Sequence, residues 1–156
     1  MSHVTLLFSS SNTIASRLIR AATWSRWSHV GIVHADASVV ESVPRYGVGQ
    51  APKVDAICGA DQYALGDIPC RDPDAIIEAA LSQVGKPYDY SALLGLTFHR
   101  DWQEDDRWFC SELIAWAFAQ AGEPLFRAEA LHRITPQHLW MLPPRREDAV
   151  VEGGLA

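Results

Sequence analysis

Trp108-Phe109-Cys110-Ser111-Glu112-Leu113-Ile114-Ala115-Trp116-Ala117-Phe118 is the stretch whose reading decides the fold. Leu113, Ile114, Ala117, Phe118 and Ala121 recur at helical spacing, which predicts a buried helix. Counting back puts Cys110 on the same inward stripe, in the first turn. Gly122 is the residue a left-handed cap favours, and it sets the expected end. A first-turn cysteine faces unpaired backbone N–H groups and the positive end of the helix dipole, both of which favour thiolate over thiol. Cys110 is therefore a candidate sulfur nucleophile. The competing reading is a small core residue, since free cysteines are among the most buried residue types. The helix alone does not separate the two.

The surrounding chain of 156 residues is long enough for one domain with one core. A hydrophobic content of 48% against 21% charged residues is a globular balance. We expect a single domain over 1–142 and a frayed, apolar-poor tail over 143–156. A net charge of −6, with no basic run longer than Arg145-Arg146, argues against a nucleic-acid partner. The start of the chain lacks the charge and apolar run of a signal peptide, and no stretch is long enough to span a membrane. The expectation is a cytoplasmic protein without an integral membrane segment. Cys58, Cys70 and Cys110 make no disulfide framework, and three free thiols are expected. With no C-x-x-C and six scattered histidines, neither a metal site nor a cofactor is expected.

In chain order, residues 4–8 read as a buried strand, and 13–22 as a helix with Ile14, Leu18 and Ile19 inward. A hairpin follows, 28–34 and 38–43 joined at Ala35-Asp36-Ala37. Residues 44–50 read as loop before another strand near Val54, and 62–68 as a further strand. Asp72 and Pro73 start a helix whose stripe is Ile76, Ile77, Ala80, Leu81 and Val84, stopped by Gly85 and Pro87. Residues 90–96 read as a short helix and 99–107 as an acidic loop. Thr135-Pro136 caps a last turn carrying Leu139 and Trp140.

A thiolate engaged in acyl transfer needs a base, and usually a third group to orient that base. Among the histidines, His29 begins a strand, where strand ends meet helix starts. Hairpin arithmetic adds a partner. With a three-residue turn, His34 faces Ser38 and cross-strand partners sum to 72, so Gly31 faces Glu41 and His29 faces Val43. His29, Gly31 and Glu41 then share one face, and a diagonal neighbour roughly 7–8 Å away is within reach of a long side chain. A slip of one residue would send Glu41 to the other face and leave it a solvated edge residue.

These residues resemble a known family. Gly85-Lys86-Pro87-Tyr88 followed by Trp108-Phe109-Cys110-Ser111-Glu112-Leu113-Ile114 is similar to the G-x-P-Y … F-D-C-S-G-L-V signature of NlpC-type papain-like cysteine hydrolases. Ser28-His29-Val30-Gly31-Ile32-Val33 precedes the cysteine instead of following it, as in the circularly permuted branch of that superfamily. The resemblance covers roughly 6–142. Phe109 replaces an aspartate and Glu112 a glycine of the pattern, which implies a rearranged first turn. The resemblance implies an α+β papain-like fold, a small antiparallel sheet packed against helices. It also implies a cysteine peptidase or amidase acting on a peptide, cell-wall peptides included, or on an acyl-amide substrate, through a thioester. Cys110 is then the nucleophile, His29 the base, Glu41 its orienting group, and the Cys110 N–H an oxyanion donor. Tyr88 is a second donor or a substrate contact, or else a tyrosine packed under the helix. Trp24, Trp27, Trp102 and Trp108 flank the two stretches. Trp27 and Trp108 are the candidates to line a groove, with core packing as the alternative.

Two rivals stand beside this reading. Relatives with the same permuted order transfer acyl groups or cleave thioesters and esters on lipids. A catalytically silent binding module could also keep the fold.

Overall fold

The fold is seen in a computed structural model that describes residues 2–90, 107–143 and 151–152. The readings of 91–96 as helix and of 99–106 as acidic loop, and Trp102 with them, lie outside the described residues.

Strand β1 (His3–Ser10) pairs antiparallel with β2 (His29–Val33) on one side and with β5 (Gln62–Pro69) on the other. β3 (Ser38–Val43) pairs with β2, and β4 (Gly47–Pro52) with β3. The result is a six-stranded antiparallel sheet of order β4-β3-β2-β1-β5-β6. Its last edge, β6 (Val151–Glu152), comes from the stretch set apart as a tail, and it pairs with Gln62 and Tyr63.

Alternation in the strands turns Val4, Leu6 and Phe8 of β1, Val30 and Ile32 of β2, and Val40 of β3 into one apolar face. α3 (Pro73–Leu81) and α4 (Cys110–Gln120) cover that face with Ile76, Ile77, Ala80, Ile114, Ala117 and Phe118. Burying an Ile or Phe side chain contributes roughly 1.5–3 kcal/mol, so these contacts fix where the first turn of α4 lies. α4 ends as its sequence implies: Gly122 takes φ +75°, and the Glu123 N–H returns to the Phe118 carbonyl at 2.9 Å. Ser111 donates to the Ile134 carbonyl, tying α4 to the Thr135-capped α5 (Pro136–Trp140).

Three readings need correction. α1 (Ile14–Thr23) buries Ser16, Ile19 and Thr23, whereas Ile14 and Leu18 point outward and are 77% and 63% exposed. Ser16 faces inward because its hydroxyl donates to that of Ser28 at 2.7 Å, and Thr23 faces inward on the Ile19 carbonyl. Second, 47–50 is strand rather than loop, and Val54 falls on the short exposed helix α2 (Lys53–Ala56). The β4 pairing continues the meander because β3 offers Glu41 and Ser42 as partners to Gly49 and Val48. Third, α3 stops at Leu81, so Val84 lies past its end and is half exposed. Among the described residues no helix is long and apolar enough to cross a membrane. Cys58, Cys70 and Cys110 are free thiols.

Candidate active site

The β2–β3 hairpin has the register that a three-residue turn dictates: Ile32 faces Val40 and Val33 faces Val39. The His34 N–H donates to the Ser38 carbonyl at 2.8 Å. Glu41 and His29 therefore stand on one face, and His29 Nε2 lies 2.6 Å from Glu41 Oε2. Glu41 is 4% exposed, so its charge depends on partners rather than water. Its other oxygen, Oε1, accepts from the Tyr46 hydroxyl at 2.8 Å.

Cys110 occupies the first position of α4, buried, with its side chain interacting with that of His29. Burial alone would lower the His29 pKa. The hydrogen bonds to Cys110 and Glu41, and the charges of both, outweigh it and raise His29 to about 10. Burial likewise pushes the Glu41 carboxyl up, but the His29 hydrogen bond and charge, with the Tyr46 hydroxyl, hold it below the usual carboxylate range. Burial and the Glu41 carboxylate push the Tyr46 phenol up.

The Gly85-Lys86-Pro87-Tyr88 segment laces the hairpin to the start of α4. The Val48 N–H donates to the Lys86 carbonyl, and the Gly85 N–H to the Val48 carbonyl. The Trp108 N–H donates to the Pro87 carbonyl, and the Trp108 carbonyl accepts from the Asp89 N–H and from the Ser42 hydroxyl. Pro87 leaves no donor unpaired along this run. Tyr88 is buried, its ring stacked edge-on between Tyr90 and Phe109. Burial, then the charge of Cys110, pushes its phenol up.

Phe109 has no side-chain acceptor, so the cap an aspartate would give is absent. Glu112 supplies the reciprocal half: its Oε2 accepts the Phe109 N–H at 3.3 Å. Burial pushes the Glu112 carboxyl up to about 8; the Phe109 bond opposes this and the charge of Asp89 adds to it. The rearranged first turn expected from the two departures is thus a glutamate folded back onto its own helix start.

Not every residue read as part of the site is there. Trp27 is fully buried against Phe8 and Trp140, with Arg26 over its ring, so it is core and not a groove wall. Trp108, by contrast, is half-buried, tilted against Trp116 and donating its indole N–H to Gln83. Trp24 is exposed, just past the end of α1. Conversely, sequence reasoning passed over Tyr46, five residues after Glu41. A turn at 44–46 was the available signal, because a short return to β4 brings that ring back over the strand it left.

A model of the permuted papain-like amidase enzymes, the YaeF/YiiX or C92 peptidase family, matches residues 4–151. No curated protein matches. Among solved structures, the crystal structure of the metalloprotein yiiX from Escherichia coli O157:H7 is similar with a TM-score of 0.64 and 23% identity. The likeness covers 81% of this chain and 69% of that one, and at such identity it speaks for the fold alone. That protein is described as a metalloprotein; here, among the described residues, no group of three or more His, Cys, Asp and Glu side chains could hold a metal ion. The match over nearly the whole length, on an α+β fold that brings a histidine from an upstream hairpin to a cysteine helix, means that the chain belongs to the C92 family of permuted papain-like amidases, enzymes of the cysteine peptidase type.

Proposed function

We propose that this enzyme hydrolyses an amide bond, in a peptide or an N-acyl amide, through a thioester on Cys110. The observation that carries the reading is the chain of contacts from Glu41 Oε2 through His29, 2.6 Å away, to the Cys110 side chain. An imidazole whose pKa is raised to about 10 is protonated at neutral pH, which is the partner a nucleophilic sulfur needs. The sulfur attacks the carbonyl carbon, and the developing oxyanion meets the Cys110 N–H at the α4 start. His29 then gives its proton to the leaving nitrogen, the C–N bond breaks, and the acyl group stays on sulfur as a thioester. Water attacks that carbonyl, His29 takes its proton, and the C–S bond breaks to release the carboxylic acid. Glu41 holds the ring and balances its charge throughout. Tyr88, buried with its ring against Phe109, the residue before Cys110, is the candidate second oxyanion donor.

Alkylation by iodoacetamide at about pH 6, followed peptide by peptide, tests the pair. Cys110 should lose about tenfold or more in rate in His29→Ala, within the range a positioned base contributes, while exposed Cys58 serves as the internal control. An unchanged Cys110 rate sinks the assignment. Turnover of N-acyl amides and cell-wall peptides, with mass-spectrometric trapping of an acylated Cys110, then separates hydrolysis from lipid-ester chemistry.

A further inference from the structure

α1 buries Ile19 between two hydroxyl residues, yet leaves two large aliphatic side chains outside. Ser16 and Thr23 point into the protein, while Ile14, Leu18 and Ala21 line up on the opposite side in solvent. Arg17 and Arg20 border that stripe, and the five residues together line an open surface groove. The helix ends on Trp24, which is 91% exposed and holds φ +50° and ψ +36°, a left-handed conformation that bulky residues avoid. A tryptophan kept in solvent, in a conformation glycine would take without strain, has no account in the folding of this chain.

The charge of this region is also unlike the rest. The chain carries a net −6, yet no Asp or Glu precedes Asp36, while Arg17, Arg20 and Arg26 all fall on α1 or just after it. We infer that the outward face of α1 docks on an anionic lipid bilayer surface, with Ile14, Leu18 and Trp24 in the interface and Arg17 and Arg20 facing lipid phosphates. A short helix with an aliphatic stripe, flanking arginines and a terminal tryptophan has the chemistry of an interfacial helix. A second copy of this chain is a poorer occupant. A two-fold contact through this face would set the arginines of one protomer against those of the other. The inference does not rest on the catalytic assignment, although the inner side of the same helix touches Ser28, the residue before His29.

Vesicle co-flotation with the full chain tests it, using phosphatidylcholine vesicles with and without about one-third phosphatidylglycerol. The wild type should float with the anionic vesicles at low salt, float weakly with the neutral ones, and be released at high salt. Ile14→Ser/Leu18→Ser and Trp24→Gly should each weaken binding by about tenfold or more. Arg17→Gln should weaken it about fivefold. These positions are exposed, so melting temperatures should hold, and Trp24→Gly should melt higher because its strain is relieved. Three results overturn the proposal: no flotation with anionic vesicles, flotation that none of these substitutions changes, or a solution dimer that the Ile14→Ser/Leu18→Ser variant dissociates. Stoichiometric capture of an acidic soluble protein by this face, without vesicle binding, overturns it as well.

Discussion

Tyr46 and Glu41 are joined by a 2.8 Å hydrogen bond from the phenol to Oε1, which leaves Oε2 alone to face His29. The phenol thereby fixes the rotation of a buried carboxylate, making Tyr46 a positioning residue that acts through Glu41. A hydrogen bond to a charged group contributes roughly 1.5–3 kcal/mol, and the half-exposed Tyr46 ring puts this one at the lower end. In Tyr46→Phe, kcat should fall about tenfold with KM little changed, since about 1.4 kcal/mol is a factor of ten. Because Glu41 helps hold the His29 pKa up, a freed carboxylate lets that pKa drop, and the alkaline limb of the kcat/KM profile moves to lower pH. A pH profile superimposable on the wild type would show that the ring only packs.

Gly31 stands where the hairpin is tightest. A Cβ there would lie 2.5 Å from Val39 Cγ1 and 3.3 Å from the Glu41 Cβ. The position is a close approach. Gly31→Ala should cost about 1–3 kcal/mol of stability, as overpacking does, and should lower activity further by pushing Glu41 away from His29. Adding Val39→Ala removes the methyl in the way, so the double variant should recover activity relative to Gly31→Ala, read by urea unfolding and turnover on the same samples. No recovery would mean that Gly31 matters for some reason other than this contact.

The same hairpin shows what a sequence can disclose. Turn length and the period-two alternation together fix which side chains share a face, so the meeting of His29 and Glu41 follows from counting residues between His34 and Ser38. The α4 stripe and its cysteine are legible for the same reason, since the period is local. α1 is not. Ile14, Leu18 and Ile19 mark an amphipathic helix, but which side turns inward is decided by the Ser16–Ser28 bond, between residues twelve apart in the chain. Tyr46 and the burial of Trp27 likewise depend on contacts that only the closed sheet creates. Glu112 reads as a departure from a pattern. Its fold back onto the Phe109 N–H becomes visible only once the missing aspartate leaves that donor open.

Ala37 closes the β2–β3 turn at φ +62°, the left-handed region in which a Cβ crowds the following carbonyl. Its N–H donates to the His34 carbonyl at 3.1 Å, so the conformation is held by the turn. The strain is roughly 1–2 kcal/mol for a residue with a side chain. Ala37→Gly should therefore raise stability by a few tenths to about 1 kcal/mol after the extra freedom of glycine in the unfolded chain is subtracted. That corresponds to a Tm increase of about 1–4 °C for a domain of this size, with turnover unchanged. A lowered Tm would mean that the unfolded-state entropy outweighs the relief.

Glu112 makes the stability of this protein depend on pH. Burial raises its carboxyl from 4.5 to about 8, so the folded state holds a proton that the unfolded chain has released. The sign follows from linkage: the contribution of the protonated group is fully present below about pH 4.5 and is lost as pH rises through about 8. Each pH unit within that window changes stability by up to about 1.4 kcal/mol. Glutamine keeps an acceptor for the Phe109 N–H and has no proton to lose. Urea unfolding at about pH 5, 6.5 and 8 should show Glu112→Gln close to the wild type at the acid end and increasingly more stable than it toward pH 8. The contributions of His29 and Glu41 are common to both proteins and cancel in the difference. Glu112→Ala, which lacks the acceptor, should be less stable than Glu112→Gln by about 0.5–2 kcal/mol at every pH. A gap between wild type and Glu112→Gln that stays constant across the range would mean that this carboxylate is ionised inside the fold, and that the α4 start stabilises its charge more than burial opposes it.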